Sequence, residues 1–115
     1  MSTQDDRERV VLLQGTLDLL VLRILTFGHE HGQGIARAIQ RQTDGTLLVD
    51  HGSLYPALQR LERREWIEAE WGTSELGRRA KFYRITGEGR RRLQAETQQW
   101  ARFATGVSKM LLAGK

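Results

Sequence analysis

His51-Gly52-Ser53-Leu54-Tyr55-Pro56-Ala57-Leu58-Gln59-Arg60-Leu61-Glu62 is the stretch on which the fold turns. Wound at about 100° per residue, Leu54, Ala57, Leu58 and Leu61 gather on one side of a helix. Tyr55, Pro56, Gln59 and Arg63 fall on the other side. Ser53 reads as the cap of this helix and Pro56 as a first-turn residue, where a missing N–H does little harm. A seam of four apolar residues must dock on a core, so the opposite ridge faces out. Gln and Arg pair with base edges, and Tyr and Ser reach edges or phosphates. Alone, the ridge also fits the solvated face of any small helical domain.

The downstream sequence weighs toward a groove. Ile67-Glu68-Ala69-Glu70-Trp71 alternates with period two, as do Lys81, Tyr83 and Ile85 against Phe82 and Arg84, so a hairpin with its tip at Thr73–Gly77 is predicted. Arg78, Arg79 and Lys81 lie at or just past that tip. Three cations so close repel one another unless an anion is near, and a phosphate backbone supplies one. Glu68 and Glu70 are unfavourable beside phosphates and are expected to pair across the hairpin with Lys81 and Arg84. A groove-sized helix next to a basic hairpin is the layout of a winged helix-turn-helix. The predicted class is mainly α with a small β-hairpin, followed by a long C-terminal helix.

Upstream, Leu13, Leu17, Leu20, Val21, Ile24 and Leu25 recur at helical spacing. Thr16 is read as the cap of this first helix, Asp18 as a first-turn acid favoured by the helix dipole, and Gly28 as its stop. Leu19 and Leu22 fall off the main stripe, which suggests a second covering surface. A second helix opens at Gly32-Gln33-Gly34, with Ile35, Ala36 and Ile39 inward, and ends near Asp44-Gly45. Leu47-Leu48-Val49 reads as a short strand pairing with the hairpin. Trp66 and Trp71 are expected to pack beneath the hairpin.

Thr86 caps the last helix, roughly Gly87 to Leu112, about 39 Å at 1.5 Å per residue. Its stripe of Leu93, Thr97, Trp100, Ala104, Val107 and Leu111, with Phe103 and Met110 adjoining, is too long for so small a domain to cover. A homodimer interface of Leu17, Leu20, Leu93, Trp100, Phe103, Val107, Met110 and Leu111 is therefore predicted. Trp100 is read as a dimer staple, with a second reading in which it lines a pocket for a small planar effector at that interface. Arg90-Arg91-Arg92 reads as solvated surface.

The chain has 115 residues, enough for one core, with net charge +4 and pI about 10.1. From Leu76 to Arg92 seven cations face Glu88 alone, a larger excess than that of the whole chain, so the basic character is local. With no cysteine, disulfide scaffolds, Cys-type zinc sites and thiol catalysis are excluded. His29, His31 and His51 lack metal-ligand spacing, and no metal or cofactor is expected. Ser53 near His51 has no third orienting group, and no glycine-rich phosphate loop follows a strand, so no enzyme is expected. The polar start is no signal peptide, and Gln14, Asp18 and Arg23 interrupt the apolar run Val10–Phe27. A cytoplasmic protein without a membrane partner is expected.

The chain resembles the PadR-type transcriptional regulators over about residues 12 to 93. The likeness rests on Leu13-Gln14-Gly15-Thr16-Leu17-Asp18, on His31-Gly32-Gln33-Gly34-Ile35, and on Lys81-Phe82-Tyr83-Arg84-Ile85-Thr86 with Gly89. Most specific is Gly52-Ser53-Leu54-Tyr55-Pro56 with the register Leu58-Gln59-Arg60-Leu61-Glu62. It resembles the short subgroup with a single C-terminal dimerisation helix. The resemblance implies a winged-helix domain, a homodimer and repression of nearby genes. Recognition positions carry over onto Ser53, Tyr55, Pro56 and Gln59, and wing cations onto Arg79 and Lys81. Gln33 departs from the family's usual aromatic residue.

Together these readings predict a flexible arm over 1–11, a DNA-binding domain over 12–86 and a dimerisation helix over 87–115. The expected function is a sequence-specific, dimeric repressor that binds double-stranded DNA at an inverted repeat through Ser53, Tyr55, Pro56, Gln59, Arg63, Arg78, Arg79 and Lys81. A winged-helix protein-interaction module without sequence-specific DNA binding is the alternative.

Overall fold

The computed structural model describes residues 14–113. Their order is helix α1 (Gln14–Leu25), strand β1 (Glu30–His31), helix α2 (Gly32–Gln42), helix α3 (His51–Arg63), strands β2 (Ile67–Thr73) and β3 (Arg79–Ile85), and helix α4 (Gly87–Leu112). This is the expected winged helix with a long final helix. The arm expected over residues 1–11 lies outside the described residues.

In α1 two adjacent rows turn inward. Leu17, Val21 and Ile24 form one, Leu22 and Leu25 the other, and all five are buried. Leu17 is therefore core and not dimer interface, and Leu22 belongs to the chain's own core rather than to a surplus face. Leu19 and Leu20 remain half-buried. Thr16 lies inside the helix and is not its cap. Asp18, past the first turn, sits on the inward side and is buried.

His31 caps α2 through its ring, which accepts the Gly34 N–H at 3.2 Å. Ile35, Ala38 and Ile39 are buried. Leu47, Leu48 and Val49 form no strand. The third strand is instead β1, paired with β3 as Glu30 opposite Tyr83 and His31 opposite Phe82. The sheet order β1–β3–β2 fills both edges of β3. β1 rather than this loop takes the second side of β3, and Leu47 and Val49 pack half-buried against the core.

The α3 seam docks as its spacing requires, with Leu54, Ala57, Leu58 and Leu61 buried. Its cap is Asp50 and not Ser53: Asp50 Oδ1 accepts the Ser53 N–H at 2.8 Å. Pro56 consequently lies in the second turn. The N–H it lacks would have reached the carbonyl of Gly52, an exposed residue where water can serve instead.

The hairpin register sets Ile67 opposite Ile85, Glu68 opposite Arg84 and Trp71 opposite Lys81. Period two puts Ile67, Tyr83 and Ile85 on the inner face, where all three are buried. Trp66 packs partly buried against the core. Trp71 does not pack beneath the hairpin. It is 56% exposed, two residues beyond the last part of its strand that the core covers.

Thr86 caps α4 by accepting the Gly89 N–H at 3.0 Å, and its own hydroxyl donates to the Glu65 carbonyl at 2.8 Å. Gly89 is required there, because a Cβ at this position would collide with the Trp66 carbonyl. Beyond Leu93, which touches the core, α4 leaves the body: Trp100, Phe103, Met110, Leu111 and Leu112 are all exposed.

Candidate nucleic-acid interface

The outward side of α3 carries Ser53, Tyr55, Pro56, Gln59 and Arg63, all exposed, as the seam on the opposite side dictates. Tyr55 is not free to swing. Its ring meets that of His51 edge-on at 5.7 Å and lies against Gly32 at the start of α2, where a side chain would crowd it. The ridge is thereby tied to the N-terminal end of α2. Arg63 makes no ion pair among the described residues.

Arg60, on the flank of the same helix, reaches into the body. Its Nη2 donates to Asp18 Oδ1 at 2.7 Å and its Nε to Asp18 Oδ2 at 3.3 Å. This bidentate pair bolts α3 to α1 and fixes the helix about its axis. The sequence held one signal for it: a carboxylate on a stripe with Val21, Leu22 and Leu25 needs a partner.

The wing divides its cations. The tip is closed by Ser74 N–H to the Arg78 carbonyl at 2.8 Å and Gly77 N–H to the Ser74 carbonyl at 2.9 Å. Arg78 and Arg79 have no carboxylate partner among the described residues; the Arg79 guanidinium lies over Trp71, 4.7 Å from its centroid. Lys81 shares a face with Tyr83 and turns toward α3, where its Nζ meets Glu62 at 3.3 Å. The expected partnership of Glu68 with Arg84 forms at 2.7 Å, whereas Glu70 faces Phe82 in register and leaves Lys81 to Glu62. Hydrogen bonding to Glu68, reinforced by its charge, raises the pKa of Arg84. Burial, then the charge of Glu62, raises that of the Tyr83 phenol.

The wing, the start of α2 and Tyr55 of the ridge line an open cleft of about 440 Å³, which Arg37, Trp71, Arg78, Arg79 and Lys81 also border. Two further contacts were not legible in the sequence. Glu75, in the tip, accepts from His31 Nε2 and from Arg37 Nη2, each at 3.3 Å. A backbone hydrogen bond, then the bond from His31, lowers the Glu75 pKa.

The expected interface residues Leu20 and Leu93 meet Trp100 along a separate, mainly apolar groove of about 800 Å³ between α1 and α4. Leu17 is not part of it. Among the described residues no cluster of His, Cys, Asp and Glu has metal-binding geometry, and no helix is long and apolar enough to cross a membrane.

A helix bundle that presents one helix beside a basic wing defines the winged-helix transcriptional regulators. The chain belongs to the PadR-like family of transcriptional regulators, whose family model matches residues 21–95. An uncharacterised protein of Lysinibacillus sphaericus is 33% identical over 90 residues, which span 78% of this chain and 83% of that one. A transcriptional regulator from Clostridium thermocellum shares the fold with a TM-score of 0.77 at 28% identity, over 85% of this chain and 95% of the other. A PadR-like transcriptional regulator from Bacillus cereus matches with a TM-score of 0.73 at 30% identity, over 90% of this chain and 97% of the other. Both of these solved structures are of transcriptional regulators.

Proposed function

We propose that the protein is a dimeric, sequence-specific repressor. Residues 12–86 bind DNA and residues 87–115 join two copies. One juxtaposition carries the reading: Tyr55, on the exposed ridge it shares with Ser53, Gln59 and Arg63, lines one cleft with Arg78 and Arg79, two cations without a carboxylate partner among the described residues. Tyr55 and Gln59 read base edges in the major groove, with Ser53 and Pro56 packed along the entry of the helix. Arg78 and Arg79 hold phosphates, and Lys81, shared with Glu62, contributes less. Two-fold symmetry places the two α3 helices about 34 Å apart on an inverted repeat. The groove at Trp100 is apolar and closed by the second copy, which suits a small planar effector that shifts the spacing of the two readers.

The test is a titration of the purified protein against the DNA upstream of its own gene, with an equal-length scrambled duplex as competitor. A preference for the upstream fragment of about 10³-fold or more, falling steeply between 50 and 200 mM salt, is expected. Equal affinity for both duplexes, or a flat salt response, overturns the reading and favours a protein-interaction module.

A further inference from the structure

The wing tip is not free. It is held to the body by the single carboxylate it carries, Glu75, through His31 and Arg37. The chemistry at His31 commits that contact. Its Nδ1 accepts the Gly34 N–H, so Nδ1 bears no proton and the neutral ring carries its hydrogen on Nε2. That N–H faces Glu75 at 3.3 Å, with Glu30 further off at 3.6 Å. The ring is oriented as a donor. It is also hemmed in, being 8% exposed, paired to β3 through its backbone and set edge-on against Phe82 at 5.3 Å. Arg37, from the next turn of α2, donates to the second oxygen of Glu75. Both oxygens of Glu75 are therefore held by groups anchored in the body, and Arg78 and Arg79 follow within four residues.

We infer that Glu75 is a positioning residue for DNA binding: an acidic latch that fixes where the wing cations stand before DNA arrives. The inference rests on the reading that the wing contacts phosphates. Its consequence runs against simple electrostatics. A carboxylate on a DNA-facing hairpin should repel phosphate, and its removal should strengthen binding. A latch predicts weakening, because Arg78 and Arg79 then have to be ordered at the moment of binding.

The control is Glu70, an exposed carboxylate on the same hairpin with no ion pair among the described residues. Glu75→Gln and Glu70→Gln remove the same charge. Each variant is titrated against a fluorescein-labelled 40-bp duplex of mixed sequence across a salt series. Backbone ¹⁵N heteronuclear NOEs of residues 74–78 are measured on the DNA-free proteins. Glu70→Gln should bind as tightly as the wild type or tighter. Glu75→Gln should bind several-fold more weakly, with a shallower salt slope, and lose NOE intensity at the tip only. Glu75→Asp, which keeps both acceptors on a shorter stem, should recover part of both signals. The side chain of Glu75 is 66% exposed, so the variant folds. The latch is overturned if Glu75→Gln tightens binding as Glu70→Gln does, or if its tip NOEs stay at the wild-type level. A wild-type protein that fails to bind the duplex overturns the DNA reading, and the NOEs then decide the latch by themselves.

Discussion

Asp18 holds Arg60 with both carboxylate oxygens in a nearly dry site, and the energetics of such a pair are asymmetric. Charges taken out of water are repaid only by each other, so the pair as a whole contributes little net stability. Removing one partner strands the other and costs about 3–5 kcal/mol. The Arg60 side chain keeps 20% of its exposure, which puts Asp18→Ala near the lower end, about 3 kcal/mol. The midpoint of denaturant unfolding should drop accordingly with an unchanged slope; a loss under about 1 kcal/mol would show that water serves Arg60 in the variant. The same residue marks where sequence reading stopped. As a first-turn acid Asp18 needed no partner, and helical spacing alone places no residue from α3 opposite it. Ser53 failed for a related reason. Asp50 is an equally good cap three residues earlier, and cap preference ranks the two alike.

At the scale of elements, spacing was a sufficient guide wherever one face is apolar. The α3 seam and the alternating faces of the hairpin strands were legible because burying one face leaves a helix or strand a single orientation. Leu47-Leu48-Val49 was misread because its β character is only permission to pair, and β1 already holds the free edge of β3. Lys81 was expected to pair across the hairpin with Glu68 or Glu70, because spacing within the hairpin does not reveal Glu62, which lies on another element nineteen residues back. The proposed division of labour between α3 and wing leads to a paired prediction. Gln59→Ala should cost about 1–3 kcal/mol on the operator and relax its sequence preference, with little effect on mixed-sequence DNA. Arg78→Ala should weaken binding to both alike and reduce the salt slope by about one per site. If both variants lose only non-specific affinity, α3 is not the reader.

For the molecule as a whole, the decisive fact is that α4 outruns its support. Along its second half Trp100 is 49% exposed, Met110 82% and Leu111 74%, while Leu93 alone among its large apolar residues packs against the core. Each such side chain contributes roughly 1.5–3 kcal/mol when fully buried, so several per copy favour a stable dimer even after the cost of association. The partner surface is at hand in the groove where Leu19, Leu20 and Trp100 meet. Joining the copies also raises DNA affinity without any new contact, because the second half-site is engaged at high effective concentration, worth roughly 10²–10⁴-fold. A double variant, Met110→Glu with Leu111→Glu, alters two exposed positions and leaves the core and α3 untouched. Sedimentation equilibrium should find it monomeric, and its thermal midpoint should no longer rise with concentration. It should lose roughly 10²–10⁴-fold on a duplex with both half-sites and almost nothing on a duplex with one. A variant that stays dimeric would remove the end of α4 from the interface. One that is monomeric yet binds the full site as the wild type does would mean that each copy reads DNA alone, and an effector at Trp100 would then have no second reader to move.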